Sequence, residues 1–314
     1  MRQAAGQYVS KIQRNLVWII KNARSRRFPP EILLSTFILA AVLCGALFHA
    51  SWNAIIKAQD DHSLAALVVA VMAGLVGIPL MLALPAPPPA AWPYLVASSL
   101  IHVGYFVLVG FAYRSADLGV AYPLTRGSAP LLTALIAFLF LAEALAWNGW
   151  LAIVVLAAGI VALSADALIR GGLSGRAALA VATNAGVIVS YTLVDGLGAR
   201  VTGSGIVYGA WLLAGSGLCV LVFALAMRRQ AFFREAKKMW LPGLIAGSLV
   251  LPSYGIALWA MTQAPIGLVA ALRETSVLFA AIIGARLFGE PFGPRRWIAL
   301  ILIVGGIILL KLPA

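Results

Sequence analysis

Arg273 and Glu274 stand side by side in AALRETSVLF (270–279), in the middle of an apolar run from Ile266 to Leu287. A run of ~22 residues is long enough to cross a bilayer. An ionisable side chain at bilayer depth costs about 2.5–3.5 kcal/mol even on lenient insertion scales, so such groups pair with one another or face a protein interior or a watery cavity. Two of them together point to a polar pathway inside the membrane, and transport is the leading chemistry for it.

Other residues of the same kind fall in similar settings. Arg126, in AYPLTRGSAP, precedes Glu274 by 148 residues, and an ion pair between them would offset part of the burial cost of both. Asp195 is then the expected partner for Arg273. His49, Asn53 and Lys57 are spaced i, i+4, i+8 and share one helical face, which could line a cavity. Lys57 could equally snorkel to the headgroups while His49 and Asn53 bond neighbouring helices. His102 could shuttle a proton or pack. Trp52, Tyr105, Tyr122, Tyr191, Tyr254 and Trp259 could clasp a solute by their ring faces, although intramembrane aromatics are commonly packing. Glu143 and Glu290 close apolar runs and are expected to be structural helix-end acids, bonded to loop amides or arginines. Enzyme chemistry is not expected: the sequence carries no HExxH, P-loop or GxSxG, and no Cys and His cluster at metal spacing. No catalytic residue, cofactor or metal site is therefore assigned. Asp60, Asp61 and His62 form a local polar group expected to be a solvated turn and helix cap. Cys44 and Cys219 are expected to be small buried hydrophobes.

The elements that must hold these residues are membrane helices. The 314 residues are 62% hydrophobic and only 11% charged, far from the composition of a soluble domain. Hydropathy and breakers predict an all-α integral membrane protein with ten spans: 32–56, 64–84, 92–113, 118–142, 147–168, 177–197, 206–227, 240–261, 266–288 and 297–310. Before them, residues 1–31 form a basic tail with seven Lys or Arg up to Pro30 and no acid; its apolar stripe suits an interfacial amphipathic helix, with a disordered tail or a misplaced start as the alternatives. Two five-helix units, 32–168 and 177–314, are joined by a linker at 169–176. They repeat: Glu143, Trp150 and Gly159 have the same spacings, seven and nine, as Glu290, Trp297 and Gly306, while Trp92 and Trp240, like Gly119 and Gly267, lie 148 apart. An odd number of helices per repeat inverts the second copy, and inverted repeats place a binding site at their interface near the midplane. A cavity lined by the first, third, fourth, sixth, eighth and ninth spans is expected.

At AYPLTRGSAPLLTALIAFLFLAEAL, AALRETSVLFAAIIGARLFGEPF and FHASWNAIIK the chain resembles the EamA-type transporters of the drug/metabolite transporter superfamily, over roughly 32–310. The resemblance implies a ten-helix carrier that moves a small organic metabolite by alternating access, often outward. The related small multidrug exporters exchange protons for cationic drugs through a glutamate in their first helix; here that helix offers His49, Asn53 and Lys57 instead. With three basic groups among the candidate lining residues, an anionic or zwitterionic substrate, amino-acid-like for instance, is expected over a simple cation. The alternative is a flippase or membrane-embedded enzyme component acting on a phosphate-bearing, lipid-linked headgroup.

The expected partners are that small molecule, a coupling proton or ion, and the lipid bilayer. The net charge of +13 sits in the tail and loops, where lipid headgroups meet it, so nucleic acid is not expected. A monomer in the inner (plasma) membrane suits the pattern, with the oligomeric state left open. Orientation is divided. With a cytoplasmic amino terminus, that side holds the seven tail charges with Arg200 and Lys311, and the opposite side holds twelve; without the tail, the loops favour the reverse arrangement.

Overall fold

The computed structural model describes residues 35–115, 118–163, 175–289 and 293–312, the side chains at 106, 107, 109–124, 176, 177, 180 and 295 excepted. The tail, most of the linker, Glu290 and the side chain of Tyr122 thus lie outside the described residues. Every regular element among them is helical: α1 (Thr36–Lys57), α2 (His62–Ala83), a 3-10 turn at Pro89–Ala91, α3 (Trp92–Ser115), α4 (Leu118–Leu141) and α5 (Trp147–Ala162). Then follow α6 (Gly175–Thr202), α7 (Gly205–Lys238), α8 (Trp240–Gln263), α9 (Ile266–Arg273), α10 (Ser276–Leu287) and α11 (Pro294–Leu309). Caps start several of them: Ser35 accepts from the Ile38 amide, Asp61 from Leu64 and Ser204 from Val207.

Among the described residues, five stretches are individually long and apolar enough to cross a bilayer: Thr36–Lys57, His62–Ala83, Gly205–Lys238, Trp240–Gln263 and Ile266–Leu287. Thr125–Leu141, Trp147–Ala162 and Arg296–Leu309 are shorter apolar helices. Many large apolar side chains face outward, among them Phe37, Leu82, Leu139 and Leu218, as expected where the solvent is lipid rather than water.

Two expected boundaries are corrected. The ninth span is not one helix: it breaks at Glu274 and Thr275, where the Glu274 amide reaches Ala270 and Ala271, the Thr275 amide reaches Leu272, and the Thr275 hydroxyl also donates to the Leu272 carbonyl at 2.7 Å. The freed backbone groups are satisfied locally, as a broken helix inside a membrane requires. The seventh span does not end at Met227 but runs on to Lys238 through a kink at Arg228, whose φ of −145° is non-helical. Phe232, Glu235 and Met239 are buried on one side of that extension, at helical spacing.

The helices pack in related pairs. α2 lies along α7, α5 along α11, and α9 against α4; α3 packs on α6 as α8 packs on α1, and α4 packs on α6 as α9 and α10 pack on α1. Small residues set the closest crossings. A Cβ at Gly74 would fall 2.8 Å from the Gly217 Cα, and one at Gly217 would fall 2.6 Å from the Gly74 Cα, so α2 and α7 meet backbone to backbone. Gly159 fits against Ile303 and the Ala299 carbonyl, and Gly306 against Leu156 and the Ala152 carbonyl. α4 and α10 are also followed by residues in the left-handed region, Ala142 (φ 55°) and Gly289 (φ 65°), an αL cap that Gly adopts without strain and Ala does not.

Candidate functional site

The break between α9 and α10 presents Arg273 and Glu274 to different neighbours. Glu274 turns to α4, where the Arg126 guanidinium donates to both carboxylate oxygens at 3.1 Å. Both residues are at most 3% exposed. A second Arg126 nitrogen lies 2.7 Å from His49 Nε2 on α1, so the cluster ties three helices together. This is the contact suggested by the 148-residue offset. At such depth it is worth more intact than broken: a buried pair that loses one partner destabilises by about 3–5 kcal/mol.

Arg273 has no such carboxylate. Its Nη2 donates to the Tyr191 hydroxyl at 3.3 Å, its guanidinium lies 5.2 Å from the Tyr254 ring centre, and its Nε and Nη1 have no protein partner although the residue is only 4% exposed. The expected ion pair with Asp195 is not formed: Asp195 accepts from Tyr208 at 2.9 Å and from Tyr254. Tyr254 thus bridges the two groups that the sequence suggested would touch. Nor is Asp195 near solvent at a helix end; it is fully buried.

Arg273 lines an internal cavity with about 770 Å³ of atom-free space including its open mouth, of which about 100 Å³ can hold the centre of a water-sized particle. His49, Trp52, His102, Tyr105, Arg126, Tyr191 and Tyr254, all suggested by the sequence, line it as well. The rings form a connected wall: His102 stacks obliquely on Tyr191 at 4.8 Å, and Tyr105 and Tyr254 meet Tyr191 edge-on. Trp52 touches His49 edge-on, and its buried indole Nε1 lacks a partner. The unsatisfied polar atoms on the cavity wall, Trp52 Nε1 and Arg273 Nε and Nη1, are thus all donors among the described residues.

Other sequence candidates stand apart from the cavity. Asn53 donates to the His49 carbonyl one turn back, and Lys57 lies over the Phe288 ring at 5.3 Å. Trp259 borders a separate apolar crevice between α1, α2, α7 and α8. Cys44 is exposed and Cys219 half-buried, so neither is the buried hydrophobe expected; an apolar run cannot tell a lipid-facing position from a core one. Asp61 caps α2 and Asp60 pairs with Lys238 at the surface, as a solvated turn should. The sequence also missed contributions. α2 and α7 complete the cavity with Ala66, Val69, Ala73, Leu213, Ser216 and Val220, aliphatic positions and one serine that carry no signal in a hydrophobic run. Arg200, placed among the loop charges, is buried: it pairs with Glu143 at 2.5 Å and donates to the Met261 and Ala264 carbonyls at 2.8 and 3.1 Å. Glu143 also accepts from the Ile266 amide at 2.8 Å, which caps the start of α9. The clasp fastens the ends of α4, α6 and α8 to the helix that carries Arg273.

Comparison with known proteins bears on this arrangement. A model of the EamA-like transporter family matches residues 177–312. Guanidinium exporters of Salmonella typhimurium (strain LT2) and Salmonella typhi are each 34% identical over 100 residues, which span 91% of the exporter and 32% of this chain. The chain belongs to the EamA-like transporter family. A solved crystal structure aligns with a TM-score of 0.69 at 20% identity, covering 87% of this chain and 95% of that one, and shows that the fold is shared across almost the whole length. This EamA-like protein is accordingly a multi-pass transmembrane transporter of small molecules of the efflux type.

Proposed function

We propose that the protein is a ten-span secondary carrier of the inner (plasma) membrane, built of two inverted repeats, that exports a small anionic or zwitterionic metabolite by alternating access. The observation that carries the substrate class is the set of unpartnered donors on the cavity wall. Arg273 offers two N–H groups and Trp52 one, whereas the nearby acids are engaged, Glu274 by Arg126 and Asp195 by two tyrosines. A carboxylate or phosphate oxygen would satisfy those donors; a plain cation would find no unengaged carboxylate on the cavity wall among the described residues. Charge-assisted bonds to guanidinium are among the strong ones.

The repeat reading is supported by the reciprocal helix pairs, by the equivalent glycine contacts at Gly159 and Gly306, and by the left-handed caps at Ala142 and Gly289, 147 residues apart. Rocking one unit against the other about the α2–α7 and α5–α11 crossings would open the cavity to each side in turn. The cargo named for the relatives, guanidinium, argues for a cation in those proteins. In this chain the aromatic wall could serve such a cation, but the guanidinium of Arg273 already occupies the Tyr254 face.

Flux through proteoliposomes tests the reading. Labelled zwitterionic amino acids, carboxylates and guanidinium are loaded inside and their efflux followed. Efflux of a carboxylate-bearing solute that stops in Arg273→Gln is expected. Movement of guanidinium alone would overturn the substrate class, and turnover of a lipid-linked headgroup without solute flux would favour the flippase or enzyme alternative.

A further inference from the structure

Asp195 is one side chain away from the cavity and makes none of the contacts assigned to the solute. Its carboxylate is fully buried, accepts from Tyr208 on α7 and Tyr254 on α8, and forms no salt bridge among the described residues. The other titratable or charged groups on the elements packed around it are few. α3 brings His102, bonded through Nδ1 to Ser98; Tyr191 shares α6; α9 brings Arg273, while Arg126 and Glu274 are spent on each other. A buried carboxylate held by hydroxyls alone is a costly anion and a cheap neutral acid. Ser98 contributes a further hydroxyl, and the one from Tyr254 belongs to the ring that carries the Arg273 guanidinium.

We propose that Asp195 is a transport-linked proton site, which takes up a proton when an anionic group occupies Arg273. The charge balance follows from the geometry. In the empty cavity the positive Arg273 and the negative Asp195 offset each other across Tyr254. An anion on Arg273 leaves Asp195 without that compensation, and one proton from the cavity water restores neutrality. The O–H bond formed on the carboxyl is balanced by the O–H bond broken in a hydronium ion of the cavity water, which is left as water; the carboxyl then donates to Tyr254 Oη, which had been the donor. Linkage is reciprocal, so acidification strengthens anion binding by the same factor by which the anion strengthens proton binding. The proposal rests on the reading of Arg273 as the solute anchor.

The test needs no known substrate, because Arg273→Gln removes the same positive charge that a bound anion would neutralise. The full chain in liposomes is titrated between about pH 4 and pH 9 while infrared difference spectra follow the C=O stretch of protonated carboxyls. The expected result is a titrating band that is lost in Asp195→Asn and whose midpoint rises by about one unit or more in Arg273→Gln. Tyr208→Phe, which keeps the acid and removes one donor to its ionised form, raises the midpoint as well and serves if Asp195→Asn does not fold. A wild-type protein without such a band, a band that persists in Asp195→Asn, or a midpoint indifferent to Arg273→Gln overturns the proposal. Its failure is separable from that of the substrate reading. Arg273→Gln that stops carboxylate efflux yet leaves the midpoint in place rejects the proton link alone; a moved midpoint with no carboxylate efflux in any form rejects the substrate class alone.

Discussion

Two buried arginines answer the same physical problem in opposite ways. Arg200 is 8% exposed and Arg273 is 4% exposed, so both have left water. Arg200 is met on three sides, by the Glu143 carboxylate and the Met261 and Ala264 carbonyls. Arg273 is met by one phenol and one ring face, with two N–H groups facing a cavity. A fully answered cation fixes the structure; a partly answered one at a cavity wall is a place for something else to bind. Under the proposed function, the difference separates scaffold from site in a chain where composition alone marks both as anomalies.

The comparison breaks most visibly at the scaffold. Glu143→Ala strands the Arg200 charge and uncaps α9, and is expected to cost about 3–5 kcal/mol of stability in thermal or denaturant unfolding. Loss of less than about 1 kcal/mol would mean that the clasp is no more structural than the cavity arginine. Arg126→Glu or Glu274→Arg alone should be comparably harmful, since each leaves two like charges buried together. The exchanged double variant is expected to regain about 0.5–3 kcal/mol relative to additivity; strictly additive losses would mean that the two residues act separately. A gain is expected at Ala142→Gly, which relieves a left-handed alanine and should raise stability by about 1 kcal/mol, bringing the end of α4 to the residue type found at Gly289. Asp60→Asn marks the lower end. Lys238, by hydrogen bond and charge, holds the Asp60 carboxyl below its ordinary value, so its contribution is present above the ordinary carboxylate range and fades as pH falls through it. Because the pair is exposed to solvent and salt, unfolding midpoints of the variant and the parent should coincide at neutral pH; a loss as large as that of Glu143→Ala would show that surface and buried charges carry the fold alike.

Much of the candidate cavity wall was legible in the sequence because charges in an apolar run are conspicuous. The offset from Arg126 to Glu274 identified a contact that the fold brings to 3.1 Å. What escaped the sequence had physical reasons. Arg200 sits close to the end of an apolar run, where a snorkelling side chain and a buried one look alike, and only the neighbouring helix ends decide between them. Arg273 was matched to Asp195 because opposite charges invite pairing, whereas the fold inserts Tyr254 and lets phenols serve both. The break at Glu274 and Thr275 has no Gly or Pro to announce it. The extension of α7 beyond Met227 did leave a trace, the spacing of Phe232, Glu235 and Met239, obscured by the basic residues between them. The aliphatic residues and the serine of α2 and α7 that complete the cavity left none.

The central claim is that Arg273 serves the solute and not the scaffold. The most direct measurement compares metabolites in the medium of cells producing the wild-type protein with those of cells producing Arg273→Gln at equal membrane abundance and equal thermal stability. The account predicts that at least one carboxylate-bearing metabolite accumulates outside the wild-type cells and not outside the variant cells. Indistinguishable profiles, with the wild-type protein exporting the same solutes as the variant, would contradict it.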